Sequence, residues 1–264
     1  MNIELHEIIQ KTIFAFKAER KIENMWRAPL IAVLPADHPL LPELRKEVSG
    51  AHLLPGDILP GAKSIVVYFI PFENRIIESN LKGEAASEEW AHVYVLTNEL
   101  LRFIGDELEK YLRQYGFMTG KIQATHNFDE KTLLSRWSHR HIARIAGLGT
   151  FGINNMLITS EGCCGRLGSL VTDADSMKLG FTLADPPLGI LPEKCLYKIN
   201  GSCGLCQKRC HVGAYNNDGV FDRHKCYEAC LKNAEIHRTI GLADVCGKCL
   251  VGLPCSSRDP SVKK

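Results

Sequence analysis

Apolar residues recur at Ile3, Leu5, Ile8, Ile9, Ile13 and Phe16, close to the helical period, and predict a helix over 3–19. Two apolar runs, "LIAVLP" and "SIVVYFIP", read as buried strands, each closed by proline. The Pro/Gly-rich "LLPGDILPGAK" between them reads as a loop. The clearest helix is "ASEEWAHVYVLTNELLRFIGDELEKYLRQYG". Its Trp90, Val93, Thr97, Leu100, Leu101, Ile104, Leu108 and Tyr111 form one stripe for core packing, and Gly116 ends it. A further helix is predicted from about Lys131 to Ala146, then a glycine turn and the strand-like "NMLITS" and "LGSLVTD". "LADPPLGILPEK" reads as a linker into a cysteine-rich tail that begins at Cys195. No repeat or low-complexity segment interrupts the pattern.

"GLGTFG", residues 147–152, matches G-x-G-x-x-G, but a dinucleotide site needs a strand before it and a helix after it. Here a helix precedes and a strand follows, so that reading is set aside. A helix-ending glycine and a tight turn account for the local shape. They do not account for three glycines and two asparagines within nine residues, a composition suited to close approach by a ligand rich in hydrogen-bonding groups.

Composition adds little until the cysteines. Of 264 residues, 45% are apolar and 23% charged, as in a soluble globular protein. A net charge of +2 is too mild to argue for a nucleic-acid surface. No apolar run approaches the roughly 18 residues of a membrane span, and the N-terminus has neither a basic n-region nor a twin-arginine pair. A cytoplasmic location with no membrane or nucleic-acid partner is the expectation. Eleven cysteines are present, none before Cys163; Cys163 and Cys164 adjoin, and nine lie between Cys195 and Cys255. Clustered C-x-x-C pairs in a reduced compartment favour metal over disulfides.

Cys203, Cys206 and Cys210 form a C-x-x-C-x-x-x-C run, but the usual preceding cysteine and following proline of a bacterial ferredoxin loop are absent. "CGKCLVGLPC" supplies a second motif in Cys246, Cys249 and Cys255. In two-cluster ferredoxins each motif lends its last cysteine to the other cluster. Crossing the ligands gives one [4Fe–4S] cluster on Cys195, Cys203, Cys206 and Cys255. The second takes Cys210, Cys246, Cys249 and either Cys226 or Cys230. Zinc remains the alternative metal, since C-x-x-C pairs also build tetrahedral zinc sites.

The glycine segment and the tail, in this order, resemble the epoxyqueuosine reductase family and its relatives, the reductive dehalogenases. The family pattern A-G-[LI]-G-W-x-G-K-N, then a strand and an L-G-E/S strand, is similar to "AGLGTFGINNMLIT" and "RLGSLVTD" here. "LPGAKSIVVYFIPF", Leu59 to Phe72, also stands at the family's place. The family has a lone cysteine sixteen residues after its first run, and Cys226 lies at that distance from Cys210, which favours Cys226 over Cys230. The resemblance spans residues 55–255. It implies an α/β, nitroreductase-like core over 1–190 and a ferredoxin-like double-cluster module over 191–264. It further implies cobalamin held base-off without a protein ligand on cobalt, reduced by the nearer cluster. The corrin-side residues would be Gly147, Gly149, Thr150, Phe151, Gly152, Asn154, Asn155, Met156, Leu157 and Ser169. An external donor such as a ferredoxin or flavodoxin would feed the clusters.

Departures from the family shape the functional reading. Its acidic residue, thirteen positions before the alanine of A-G-L-G, is Leu133 here, and the run that follows it in the family is replaced by "RWSHRH". No tRNA-binding extension like the family's is expected after Cys255. The expectation is therefore a cobalamin-dependent reductase of a small molecule other than epoxyqueuosine. Its proton donors would be His139 and His141, since imidazole titrates near neutrality. Tyr215, Glu161, Cys163 and Cys164 are further candidates. The plainer reading makes the histidines polar helix-face residues, and Cys163 and Cys164 small buried residues in a turn. Trp137 reads as core. A two-cluster electron carrier that binds no cobalamin is the alternative function, and a structural zinc module is the third. The core of about 190 residues, which a plain ferredoxin does not need, favours the reductase.

Overall fold

The computed structural model of the chain describes residues 4–179, 191–215 and 220–262. Its helices are α1 (Leu5–Arg20), α2 (Leu44–Glu47), α3 (Pro55–Ile58), α4 (Asn74–Ser79), α5 (Glu88–Gln114), α6 (His139–Ile145), α7 (Leu196–Asn200), α8 (Leu205–Lys208) and α9 (Arg223–Ile236). Its strands are β1 (Leu30–Pro35), β2 (Ser64–Pro71), β3 (Thr119–Lys121), β4 (Gly149–Phe151), β5 (Leu157–Thr159) and β6 (Gly165–Thr172). The fold is mixed α/β. A four-stranded antiparallel sheet has the order β1-β2-β6-β3, and β4 and β5 form a separate hairpin.

Strand β2 is buried along its whole length, and its side chains divide between two cores. Val66, Tyr68 and Ile70 join α1 and α5 on one face. Ile65 and Val67 join Leu34, Leu41, Trp137, Ile142 and Ile145 on the other. Successive strand residues point to opposite faces, so a strand covered on both sides must be continuously apolar. That is why "SIVVYFIP" shows no alternation. α5 begins at Ser87, whose hydroxyl accepts from the Trp90 amide at 3.1 Å, with Glu88 and Glu89 in the first turn. Gly116, at φ +79°, follows its end.

The helix expected from Lys131 to Ala146 is shorter, running only over His139–Ile145. Asp129 redirects the chain before it. Its Oδ1 accepts from the amides of Lys131 (3.1 Å) and Thr132 (2.8 Å), and Phe128 pairs with Ser135 across the resulting turn. Such side-chain-to-backbone bonds compete with the helical ladder. Leu133, at the turn, adopts φ +54°.

Most of the expected linker "LADPPLGILPEK", and the expected boundary at 190/191, fall on or beside residues outside those described. The cysteine-bearing tail nonetheless shares the core of the α/β part. Cys195, Leu250 and Val251 belong to the same apolar cluster as Trp90 and Ile158. Among the described residues no helix is long and apolar enough to cross a membrane.

Candidate metal and cofactor site

The tail thiols sort into two groups. Cys195, Cys203, Cys206 and Cys255 line one narrow cavity together with Ile153, Ile158 and Leu253. Cys210, Cys226, Cys230, Cys246 and Cys249 line the wall of a much larger cavity of about 670 Å³. Glycine shapes both loops: Gly204 (φ +154°) and Gly247 (φ +73°) follow the first cysteine of each C-G-x-C pair. A β-carbon on Gly247 would lie 2.4 Å from the Trp90 indole. Backbone N–H groups meet the sulfurs, with Ala214 N donating to Cys210 Sγ at 3.3 Å. Gln207 bonds Cys206 and Lys248 bonds Cys246 in the same way. Burial pushes Cys206 up to about 11, and the neighbouring Cys255, Cys195 and Cys203 add to the effect. Four thiols in an apolar pocket ionise together only when a cation compensates them. The donor set therefore fits soft metal. Among the described residues, no three Cys, His, Asp or Glu side chains close on the position of a single ion.

Cys226 and Cys230 lie one turn apart on α9, in side-chain hydrogen-bond contact. Both face the large cavity, so position alone does not separate them. Cys163 and Cys164 are fully buried and hold the tail. Their amides donate to Cys255 O (2.9 Å) and Ser256 O (3.0 Å), and Cys164 Sγ donates to Leu250 O at 3.2 Å. The Cys163 thiol also touches Cys255.

The β4–β5 hairpin forms the opposite wall of the large cavity through Phe151, Gly152, Ile153, Asn154, Asn155 and Met156. Asn154 joins this wall to the cysteines, donating Nδ2 to Cys249 O at 3.2 Å while its Oδ1 accepts from the Met156 amide. Five of the expected corrin-side residues thus line the cavity: Phe151, Gly152, Asn154, Asn155 and Met156. The other five lie elsewhere. Gly147 ends α6 at φ +84°. Gly149 sits where a β-carbon would meet Ile158 O at 2.2 Å. Thr150 donates to Glu193 Oε1 at 3.0 Å, beside Cys195. Leu157 is buried in the second core, and Ser169 is buried in β6. Gly149 therefore answers to the protein's own backbone before any ligand, whereas at Gly152 an added carbon would meet the Asn154 side chain, Oδ1 at 2.6 Å.

His139 does not fit the role of proton donor. Its Nε2 must donate to Gln123 O (3.0 Å), because a carbonyl only accepts. Its Nδ1 therefore accepts from Ser169 Oγ at 2.8 Å, and that oxygen in turn accepts from Trp137 Nε1 at 2.9 Å. Burial pushes this histidine down to about 4. His141 does line the large cavity, with Nδ1 2.7 Å from Ser138 Oγ and its ring 4.7 Å from that of Phe151. Burial first, then the charges of Arg140 and Arg144, push it down to about 3. Glu161 is committed to Arg27. Tyr215 lines the cavity with its hydroxyl buried and unpartnered among the described residues, and burial raises it well above the ordinary phenol value.

Three groups went unread in the sequence. Asp244 accepts from Tyr94 Oη at 2.8 Å and pairs with His126 Nε2 at 2.9 Å, all on the cavity walls. Lys248 is buried and donates to the carbonyls of Asn80 (2.9 Å) and Lys82 (2.7 Å). Asn80 donates to Cys246 O at 2.9 Å. Only the "C-G-K-C" lysine carried a signal, as a charge inside a cysteine loop. Leu133, at the family's acidic position, lines the large cavity.

No family model matches the chain. An epoxyqueuosine reductase of Francisella cf. novicida is 26% identical over 179 residues, which cover 66% of this chain and 45% of the relative. The chain is similar to epoxyqueuosine reductase. Solved epoxyqueuosine reductases from Bacillus subtilis and Streptococcus thermophilus have TM-scores of 0.54 and 0.51 at 20% and 19% identity. Both cover 96% of this chain, and it covers 66% and 69% of theirs. A catabolic reductive dehalogenase covers 88% of this chain and is covered to 30%, with TM-score 0.52 and 15% identity. The fold is thus that of epoxyqueuosine reductases and reductive dehalogenases, as the glycine turn and cysteine tail led us to expect. The chain spans less than half the length of its curated epoxyqueuosine reductase relative. One epoxyqueuosine reductase was solved with a modified tRNA-Tyr stem loop, so the expectation of no nucleic-acid partner is not carried forward.

Proposed function

We propose that the chain is a cytoplasmic iron–sulfur oxidoreductase that carries two [4Fe–4S] clusters and holds cobalamin in the large cavity to reduce a small molecule. Cys195, Cys203, Cys206 and Cys255 would hold one cluster, and Cys210, Cys226, Cys246 and Cys249 the other. The sorting of the tail thiols carries this reading: four share one narrow cavity, and the rest face the glycine hairpin across the large one. When bound, the clusters would supply single electrons and the corrinoid the metal centre that takes them up. The protein's part is to hold and to shield. Ile153, Ile158 and Leu253 keep water from the first quartet, and amides such as Ala214 N draw charge from sulfur. Asn154 fixes the hairpin wall against the Cys249 loop. Of the two histidines, only His141 lines the large cavity, beside Ser138 Oγ.

Anaerobic purification with iron, sulfide and cobalt analysis tests this reading. About eight iron and eight sulfide per chain are expected from two four-iron clusters, together with cobalamin retained through gel filtration. Tightly bound zinc without labile sulfide would refute the clusters. Full clusters without cobalamin would instead leave a two-cluster electron carrier, reduced by a ferredoxin or flavodoxin. Binding of a tRNA stem loop, measured on the same preparation, decides whether a nucleic acid is a partner.

A further inference from the structure

Three guanidinium groups on the wall of the large cavity, those of Arg140, Arg166 and Arg223, lack a carboxylate partner among the described residues. Arg140, on α6, and Arg166, on β6, both line the large cavity and an adjoining chamber of about 330 Å³. Neither forms an ion pair among the described residues, whereas Arg27 and Arg144 pair with Glu161 and Glu47. Arg166 donates to Asn98 Oδ1 at 2.8 Å and lies 4.3 Å from the centre of the Tyr94 ring. Arg140 donates to the Asn155 carbonyl and lies 3.8 Å from Met156 Sδ. These neutral contacts leave most of the five donors of each group unused. The cavity's own acids are committed, Asp244 to Tyr94 and His126, Glu47 to Arg144. Arg223, on the same wall, adds charge of the same sign near Arg140, and the acidic groups near Arg140 are the Cys226 thiol and the Tyr215 phenol rather than a carboxylate. A guanidinium drawn from water needs an anion, and planar oxyanions match it best. Four aromatic side chains, Tyr94, Phe128, Trp137 and Tyr227, line part of the chamber, Phe128 edge-on to Tyr227 at 5.7 Å, beside polar groups such as Asn127 and Ser135 and the committed Asp244.

We propose that Arg140 and Arg166 bind the oxyanion, carboxylate or phosphate, of a small acidic substrate seated in the partly aromatic chamber. This rests on the reductase reading for the place of reaction, but not for the binding itself.

The test uses the full chain, anaerobic and cluster-loaded, with benzoate, its uncharged analogue benzamide and inorganic phosphate as probes in calorimetry. Benzoate should bind at least tenfold more tightly than benzamide, and phosphate should compete with it. Arg166→Gln and Arg140→Gln should each weaken benzoate at least tenfold with iron content and melting temperature unchanged; Arg166→Lys should fall between. Equal binding of benzoate and benzamide to the wild type overturns the proposal, whatever the variants do. The cofactor's nucleotide phosphate is the other source of an oxyanion. If cobalamin displaces benzoate but cobinamide, which lacks that phosphate, does not, the pair belongs to the cofactor and the substrate assignment falls. Cobalamin retention is read on the same samples. Its loss sinks the reductase reading while benzoate selectivity stands, and retention without selectivity sinks only this inference.

Discussion

Cys226 and Cys230 touch within one helical turn, and the sixteen-residue distance from Cys210, shared with the family, favours Cys226 as the ligand. The hydrogen bond from Cys230 first pushes Cys226 below the ordinary thiol value, and the same bond pushes Cys230 up. Cys226→Ser should therefore lose about half the iron, because a hard hydroxyl replaces a soft thiolate at one corner. Cys230→Ser should keep nearly all of it; iron analysis showing the reverse would exchange the two roles. His139 carries a pH prediction. Its folded value near 4 lies below the unfolded 6.5. The unfolded chain then binds the extra proton between those limits, so stability present above pH 6.5 is lost as pH falls toward 4. The loss amounts to about 3 kcal/mol. His141 acts in the same direction. Melting of His139→Gln against pH should show a shallower acid decline than the wild type, and an unchanged slope would contradict the bonded, neutral imidazole.

At the scale of an element, the β4–β5 hairpin is where two explanations of one glycine motif part. If ligand contact set the glycines, Gly149→Leu would cost cofactor binding alone. The backbone of β5 at 2.2 Å makes the substitution a folding problem instead. Gly149→Leu should destabilise the chain by on the order of 3 kcal/mol. Gly147→Ala meets nothing within 4 Å but must hold φ +84°, and should cost about 1 kcal/mol. Chemical denaturation measures both; a Gly149→Leu protein as stable as wild type would return that glycine to the ligand. Gly152 is the informative position for the cofactor, since it lines the cavity and its nearest obstacle is the Asn154 side chain.

For the molecule as a whole, tail and core are joined by packing and by hydrogen bonds. Arg27 donates to Ser257 O at 3.1 Å and to Phe72 O at 2.9 Å, and Leu250 and Val251 complete the first core. Lys248 ties the second C-G-x-C loop to residues 80–82. Metal bound only by the folded chain stabilises whatever folds with it. Bleaching the clusters should therefore lower the melting temperature of the entire chain in one transition. Calorimetry showing a core transition untouched by bleaching would mean that the tail folds separately.

Periodicity belongs to the local chain, and where it was strong the sequence determined the element. α1, α5 and the wholly apolar β2 follow from helical spacing and from continuous burial. Cysteine spacing likewise anticipated how the tail thiols sort, with Cys195, Cys203, Cys206 and Cys255 on one cavity and the other five on a second. A single short-range feature, the Asp129 turn, sufficed to cancel half of an expected helix. The tertiary structure alone decided which groups meet. It locked His139 between Gln123 and Ser169, placed five of ten expected residues on the cavity wall, and brought Asp244 to His126 across 118 positions. It also set Gly149 against Ile158, and left Arg140 and Arg166 without carboxylates among the described residues. Such meetings depend on how distant elements pack, and no local period or spacing encodes which side chains the packed layers bring within hydrogen-bond reach.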